Sequence, residues 1–169
     1  MRSFASDNNS GAHVDIIQAI VDANVDHCVG YGDDKWTEAA RKRFKEIFGP
    51  ESESYFVFLG TGANVLAVKA MVRSWESVLC APSAHLNVDE CGAPENMVGC
   101  KVEVVPSSND EGKLCVDDLK PSLHGIGFEH HSQPKLITIT QCTELGTVYT
   151  LDEIKALADF AHANNMYLH

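Results

Sequence analysis

Two glycines flank a threonine at Gly60-Thr61-Gly62, directly after the apolar run Tyr55–Leu59 and directly before residues with helical spacing. Glycine lets the backbone turn tightly and approach a ligand. A helix start offers unpaired N–H groups and the positive end of the helix dipole, and a threonine hydroxyl adds a donor. That combination suits a phosphate. It is neither a Walker A loop, because no Gly-Lys-Ser/Thr follows, nor a complete Gly-x-Gly-x-x-Gly. A ligand-free β–α turn that needs glycine for its shape accounts for the same residues. The second candidate is His85, within Ala84–Gly92, whose imidazole could move a proton near neutral pH. A loop histidine without chemistry fits that position too. The third is Gln141-Cys-Thr-Glu-Leu-Gly146, a polar segment closing the run Leu136–Thr140. If the runs before these segments are parallel strands, all three lie at carboxyl ends, where ligands gather in α/β sheets.

The elements that would hold them follow from periodicity. Tyr55–Leu59 is continuously apolar and predicts a buried strand. Val78–Ala81, Val102–Val105 and Leu136–Thr140 predict three more, and Met166–His169 begins another. Trp36, Ala40, Phe44, Ile47 and Phe48 share one helical face, stopped by Gly49-Pro50. A helix over Ala63–Ser74 offers Val65, Leu66, Val68 and Met71 to a core. Thr150-Leu-Asp-Glu153 is a capping box, with Leu151, Ile154, Leu157, Ala158 and Ala161 as the buried stripe behind it. Strand and helix in alternation predict a three-layer α/β fold with a mainly parallel sheet. A helical segment over 1–50 precedes the α/β domain over 51–169. The last residues stop inside an apparent strand, so the chain reads as part of a longer protein.

Composition narrows the functional classes. The 169 residues are 44% hydrophobic and 22% charged, ordinary for a soluble globular protein, and the net charge of -11 argues against nonspecific attraction to nucleic acid or anionic membrane. No run approaches the roughly 18 apolar residues of a membrane span, and MRSFASDNNS has no signal-peptide core, so a cytoplasmic location is expected. The six cysteines form no Cys-x-x-Cys pair and are expected to be buried reduced thiols. The eight histidines include no His-Glu-x-x-His, so no metal site is expected.

Six ordered motifs carry a family resemblance along essentially the whole chain. They are Ser6-Asp-Asn8, Gly30-Tyr-Gly-Asp-Asp34, Gly60-Thr-Gly-Ala-Asn64, Ser83-Ala-His85, Asp89–Glu95 and Thr140–Gly146. In this order they resemble threonine aldolases of the β-eliminating lyase superfamily, nearest the low-specificity L-threonine and phenylserine aldolases. The turn here is Gly-Thr-Gly-Ala where many relatives have Gly-Thr-Met-Gly.

The resemblance implies the large domain of fold-type I enzymes and pyridoxal 5'-phosphate as cofactor. Gly60, Thr61 and Gly62 would hold its phosphate. His85 would stack on its ring and take part in proton transfer. Ser6 would bind the substrate carboxylate, and Tyr31 would sit near a neighbouring subunit's site in a homodimer or homotetramer. Glu90 and Thr143 are implied as further site residues, with a water held by Glu90 as a rival to His85 for the catalytic base.

The implied reaction cleaves threonine, allo-threonine or phenylserine to glycine and an aldehyde. In the family, a strand like Met166–His169 runs on into Asp-Gly-Ala-Arg or Asp-Gly-Ser-Arg, and a Schiff-base lysine follows later. None of the nine lysines here sits in that lysine's context, so these 169 residues alone are expected to be inactive. Two rival readings remain at this stage: another fold-type I lyase or racemase, and a nonenzymatic flavodoxin-like binding module.

Overall fold

The computed structural model describes residues 6–169, which divide into two compact units, 1–56 and 57–169. In the first unit, α1 spans Val14–Ala23 and α2 spans Lys35–Phe48. The α2 start is fixed by Asp34, whose carboxylate accepts the N–H groups of Trp36 and Thr37 at 3.0 and 2.8 Å. Its end is fixed by Gly49, whose φ of +102° few side chains tolerate. The expected helix therefore forms, but its stripe is not covered. Trp36, Phe44, Ile47 and Phe48 remain exposed, and Phe44 merely stacks on Phe48 and meets Phe56 edge-on. Two short helices supply no second layer, so none of the described side chains of this unit is buried.

The second unit carries the sheet. β1 (Glu76–Cys80), β2 (Lys101–Val104), β3 (Gln133–Ile137) and β4 (Tyr167–Leu168) pair in parallel in the order β2-β1-β3-β4. Alternation along the central strands divides the core in two. Val78 and Leu136 face Val68, Val72 and Leu86. Their neighbours Leu79 and Ile137 face Leu119, Leu157, Ala161 and Met166. Helix α3 (Gly60–Met71) thus packs on one face and α7 (Leu151–Ala163) on the other, which is the expected three-layer α/β architecture. The capping box of α7 is also present, with Thr150 Oγ accepting from Glu153 N at 3.2 Å and Thr150 N donating to Glu153 Oε2 at 2.7 Å.

Four expectations are corrected. Tyr55–Leu59 is irregular rather than a buried strand, with Tyr55 and Phe58 exposed. A buried strand needs hydrogen-bonded neighbours, and the sheet order of the described residues includes none beside this run. Leu151 is 85% exposed because it lies about 120° around α7 from buried Leu157. Leu66, about 160° from Val68 on α3, is likewise turned outward. The six cysteines are all unpaired, but only Cys80 and Cys100 are buried.

Candidate active site

The cleft of the second unit lies at the carboxyl ends of β1 and β3 and encloses about 460 Å3. Its wall is shared by Gly60, Asn64, His85, Thr140, Cys142 and Glu144, among others. Three local structures bring them there. The chain leaves β1 and enters the short helix α4 (His85–Val88) at His85 itself. After β3, Thr138 N still donates to Leu79 O at 2.9 Å, so the polar segment leaves the sheet beside that turn. Helix α3 starts at Gly60, three residues before the sequence pattern suggested, because Ala63 N already bonds Leu59 O at 3.2 Å.

That early start makes Gly60, Thr61 and Gly62 the first turn of a 12-residue helix with no side-chain cap. Their N–H groups have no partner within the helix and stand at its positive end, an arrangement that attracts an anion. A Cβ at Gly60 would meet no atom within 4 Å, so packing does not explain this glycine. The space is open, and phosphate fits it chemically.

His85 is the centre of the site's hydrogen bonding. Its backbone N–H donates to Glu144 Oε1 at 2.9 Å, and Thr140 Oγ donates to the same oxygen at 3.0 Å. Its ring Nδ1 lies 2.8 Å from Glu90 Oε1, and Asn64 Nδ2 donates to that oxygen at 2.7 Å. The Glu90 side chain is wholly buried, whereas His85 is half exposed. Burial pushes the Glu90 carboxyl up, but Asn64, Thr61 and His85 together outweigh it and hold the group below its ordinary value. The Thr61 hydroxyl also favours the charged form, although Oε2 is buried and has no hydrogen-bond partner among the described residues. Glu90 therefore sits as a charged group behind an exposed imidazole.

Of the residues expected from the sequence, Gly60 and His85 stand on the cleft wall, and Thr61 and Gly62 complete Gly60's helical turn. Glu90 does not line the cleft itself and meets it through His85 and Asn64. Thr143 is buried, and its hydroxyl is 2.7 Å from that of Thr147 while accepting Thr147 N at 3.2 Å. It ties its own turn together rather than lining the cleft. Ser6 and Tyr31 belong to the first unit. There Ser6 Oγ accepts Asn8 N at 3.2 Å, and Tyr31 is exposed in a left-handed conformation with φ +65°. Asn64 and Glu144 were not singled out from the sequence as site residues. The available signal was a polar residue in the first turns of an apolar helix, and a carboxylate in the loop after a buried strand.

The family model described as beta-eliminating lyase matches residues 3–169. The low specificity L-threonine aldolase of Pseudomonas aeruginosa is 38% identical over 168 residues, 99% of this chain and 48% of that protein. An alanine racemase of Cochliobolus carbonum, TOXG, is 33% identical over 127 residues, 73% of this chain and 31% of that protein. Among solved structures, the threonine aldolase of Leishmania major superposes with a TM-score of 0.89 at 32% identity, covering 95% of this chain and 46% of that one. The chain spans about half the length of the curated relatives it matches.

Proposed function

The chain belongs to the β-eliminating lyase family, and on that premise we propose that it is the cofactor-binding part of an aldolase that uses pyridoxal 5'-phosphate to split β-hydroxy-α-amino acids into glycine and an aldehyde. The observation that carries this reading is the exposed imidazole of His85, backed by buried Glu90, beside the uncapped start of α3. Gly60, Thr61 and Gly62 would hold the cofactor phosphate through their N–H groups and the threonine hydroxyl. Bound pyridoxal phosphate supplies the electron sink for the pair left on Cα when the Cα–Cβ bond breaks.

The protein's own residues do the rest. His85 would lie against the cofactor ring and take the β-hydroxyl proton of a substrate such as threonine or phenylserine. Glu90 steadies the imidazolium that results, because a buried carboxylate favours the protonated ring beside it. A water held by Glu90 is the rival base, and the absence of solvent exposure at the Glu90 side chain favours His85 over it. Ser6 would take the substrate carboxylate, and Tyr31 would complete a neighbouring subunit's site in a homodimer or homotetramer. Thr143 would support the cleft from beneath by holding the turn that ends in Gly146. The segment 1–50 would serve the subunit interface, and 51–169 the cofactor domain. A cytoplasmic location accords with the described helices, none of which is long and apolar enough to cross a membrane.

A racemase is the second reading, favoured by the fungal alanine racemase among the relatives. One experiment separates the two. The complete protein, with the Schiff-base lysine that these 169 residues do not supply, is purified, loaded with cofactor and given L-threonine, L-phenylserine and L-alanine, and glycine, aldehyde and D-alanine are measured. Glycine with acetaldehyde or benzaldehyde is the expected result. D-alanine without aldehyde would replace the aldolase with the racemase, and no product from any of the three would end both readings.

A further inference from the structure

Glu90 Oε1 accepts two hydrogen bonds, from elements far apart in sequence. An ionised carboxylate can only accept. The Asn64 amide must therefore present its NH2 group to Glu90, and the His85 Nδ1 facing the same oxygen must carry a proton. Nε2 is then the ring nitrogen left to the cleft. In the neutral imidazole it holds the lone pair that can take a substrate proton. The reverse tautomer would present an N–H there and could not act as a base.

The arrangement holds only while Glu90 is charged. Its side chain is fully buried, and its second oxygen has no hydrogen-bond partner among the described residues. Burial by itself would protonate such a group. A protonated Glu90 could donate to Nδ1 and drive the ring into the wrong tautomer. Asn64 donates to the carboxylate from α3, 26 positions away, whatever the state of His85, and the Thr61 hydroxyl adds to its effect.

We propose that Asn64 is a positioning residue: by keeping Glu90 ionised it holds the neutral His85 ring with its proton on Nδ1 and its Nε2 free in the cleft. This rests on the reading of His85 as the base, but it is measured independently of catalysis. The other titratable groups facing the cleft are Glu144, which takes the His85 backbone N–H, together with Cys142 and His169.

The test is ring-nitrogen NMR on the 15N-histidine-labelled holoenzyme, with the His85 signals assigned by their loss in His85→Asn. Wild type is expected to show neutral His85 protonated at Nδ1. Asn64→Leu removes the donor at similar volume and should move the ring towards the Nε2–H form. It should also lower kcat by roughly 10- to 100-fold with KM little changed, the scale seen when an outer-shell partner of a metal-ligating histidine is lost. The acid limb of its kcat profile should move to higher pH, because Glu90 then protonates more readily. Asn64→Ala removes the same donor with a smaller side chain. It should shift the same tautomer signals, and it decides the matter if the leucine variant does not fold. Wild-type His85 protonated at Nε2 would overturn the proposal. So would a wild-type tautomer in Asn64→Ala. Neither result depends on aldehyde formation, so a failed aldolase assay leaves this inference standing, and a failed tautomer measurement leaves the aldolase standing.

Discussion

The carboxylate of Glu144 accepts the backbone N–H of His85 across 59 positions of sequence. This single bond joins the loop after β3 to the helix start after β1. Glutamine keeps an acceptor oxygen at that place and alanine removes it. Glu144→Gln should stay close to wild type in stability, while Glu144→Ala should lose about 1–3 kcal/mol, the net worth of the His85 and Thr140 bonds together. Urea unfolding of the two variants checks the difference. Equal loss in both would assign the effect to the charge instead.

For the loaded enzyme, His85→Phe and His85→Asn should each lose on the order of 10²–10⁴ in kcat, the span of general acid–base catalysis. Phenylalanine keeps an aromatic face and should keep most of the cofactor affinity, whereas asparagine should not. Steady-state kinetics and a cofactor titration separate the roles. A wild-type kcat in His85→Phe would leave stacking as the residue's only task.

Thr61→Val removes a hydroxyl and keeps the shape. If the hydroxyl donates to a bound phosphate, cofactor binding should weaken by roughly 1.5–3 kcal/mol, the worth of a hydrogen bond to a charged group. The chemical step at saturating cofactor should change less. An unchanged cofactor dissociation constant would show that the hydroxyl serves only Glu90, whose charge it already favours.

Leu157 and Leu151 lie on the same helix with opposite surroundings, the first 1% exposed and the second 85%. Leu157→Ala should cost roughly 2–5 kcal/mol through lost burial and the cavity left behind. Leu151→Ala should stay within about 0.5 kcal/mol. Thermal melts of both variants distinguish this arrangement from a stripe that includes Leu151.

Glu153 is held at about 2, well below its ordinary 4.5, chiefly by the Lys113 ammonium and then by the Thr150 cap. A depressed carboxyl stabilises the fold above its unfolded value and loses that contribution as pH falls towards its folded one. Stability should therefore decline between pH 4.5 and about 2. In Glu153→Gln this part of the decline should be smaller, and added salt should reduce it in the wild type as well. Denaturant midpoints across that range measure it.

The sequence pattern located β1 to β4 to within a few residues, and the capping box of α7 could be read directly, because those signals are local. What it missed depends on covering elements. Phe44, Ile47 and the run Tyr55–Leu59 are as apolar as any core segment, but apolarity states a preference for cover and not its presence. At the site, Gly60 and His85 were legible as motif residues. The contact of Asn64 with Glu90 was not, because it joins α3 to the second residue after α4, 26 positions away. Thr143 looked like a site residue for the reason it is buried: a threonine in a turn serves equally well as a ligand or as a bond within the turn.

The parallel pairing of β1 with β3 also sets the order of events when the chain folds. Two parallel strands cannot be joined by a tight turn, and β2, α6 (Val116–Leu119) and their loops all lie between Cys80 and Gln133. Closing so long a segment is unfavourable until the ladder and both core layers form together, and high contact order slows folding. The bond from His85 to Glu144 depends on that closure. The cleft is therefore absent from early collapsed states, in which Val78, Leu79 and Leu136 are still open to aggregation. In a refolding experiment, a probe at His85 should report its native environment only in the slow global phase, after α7 with its local capping box has already become helical.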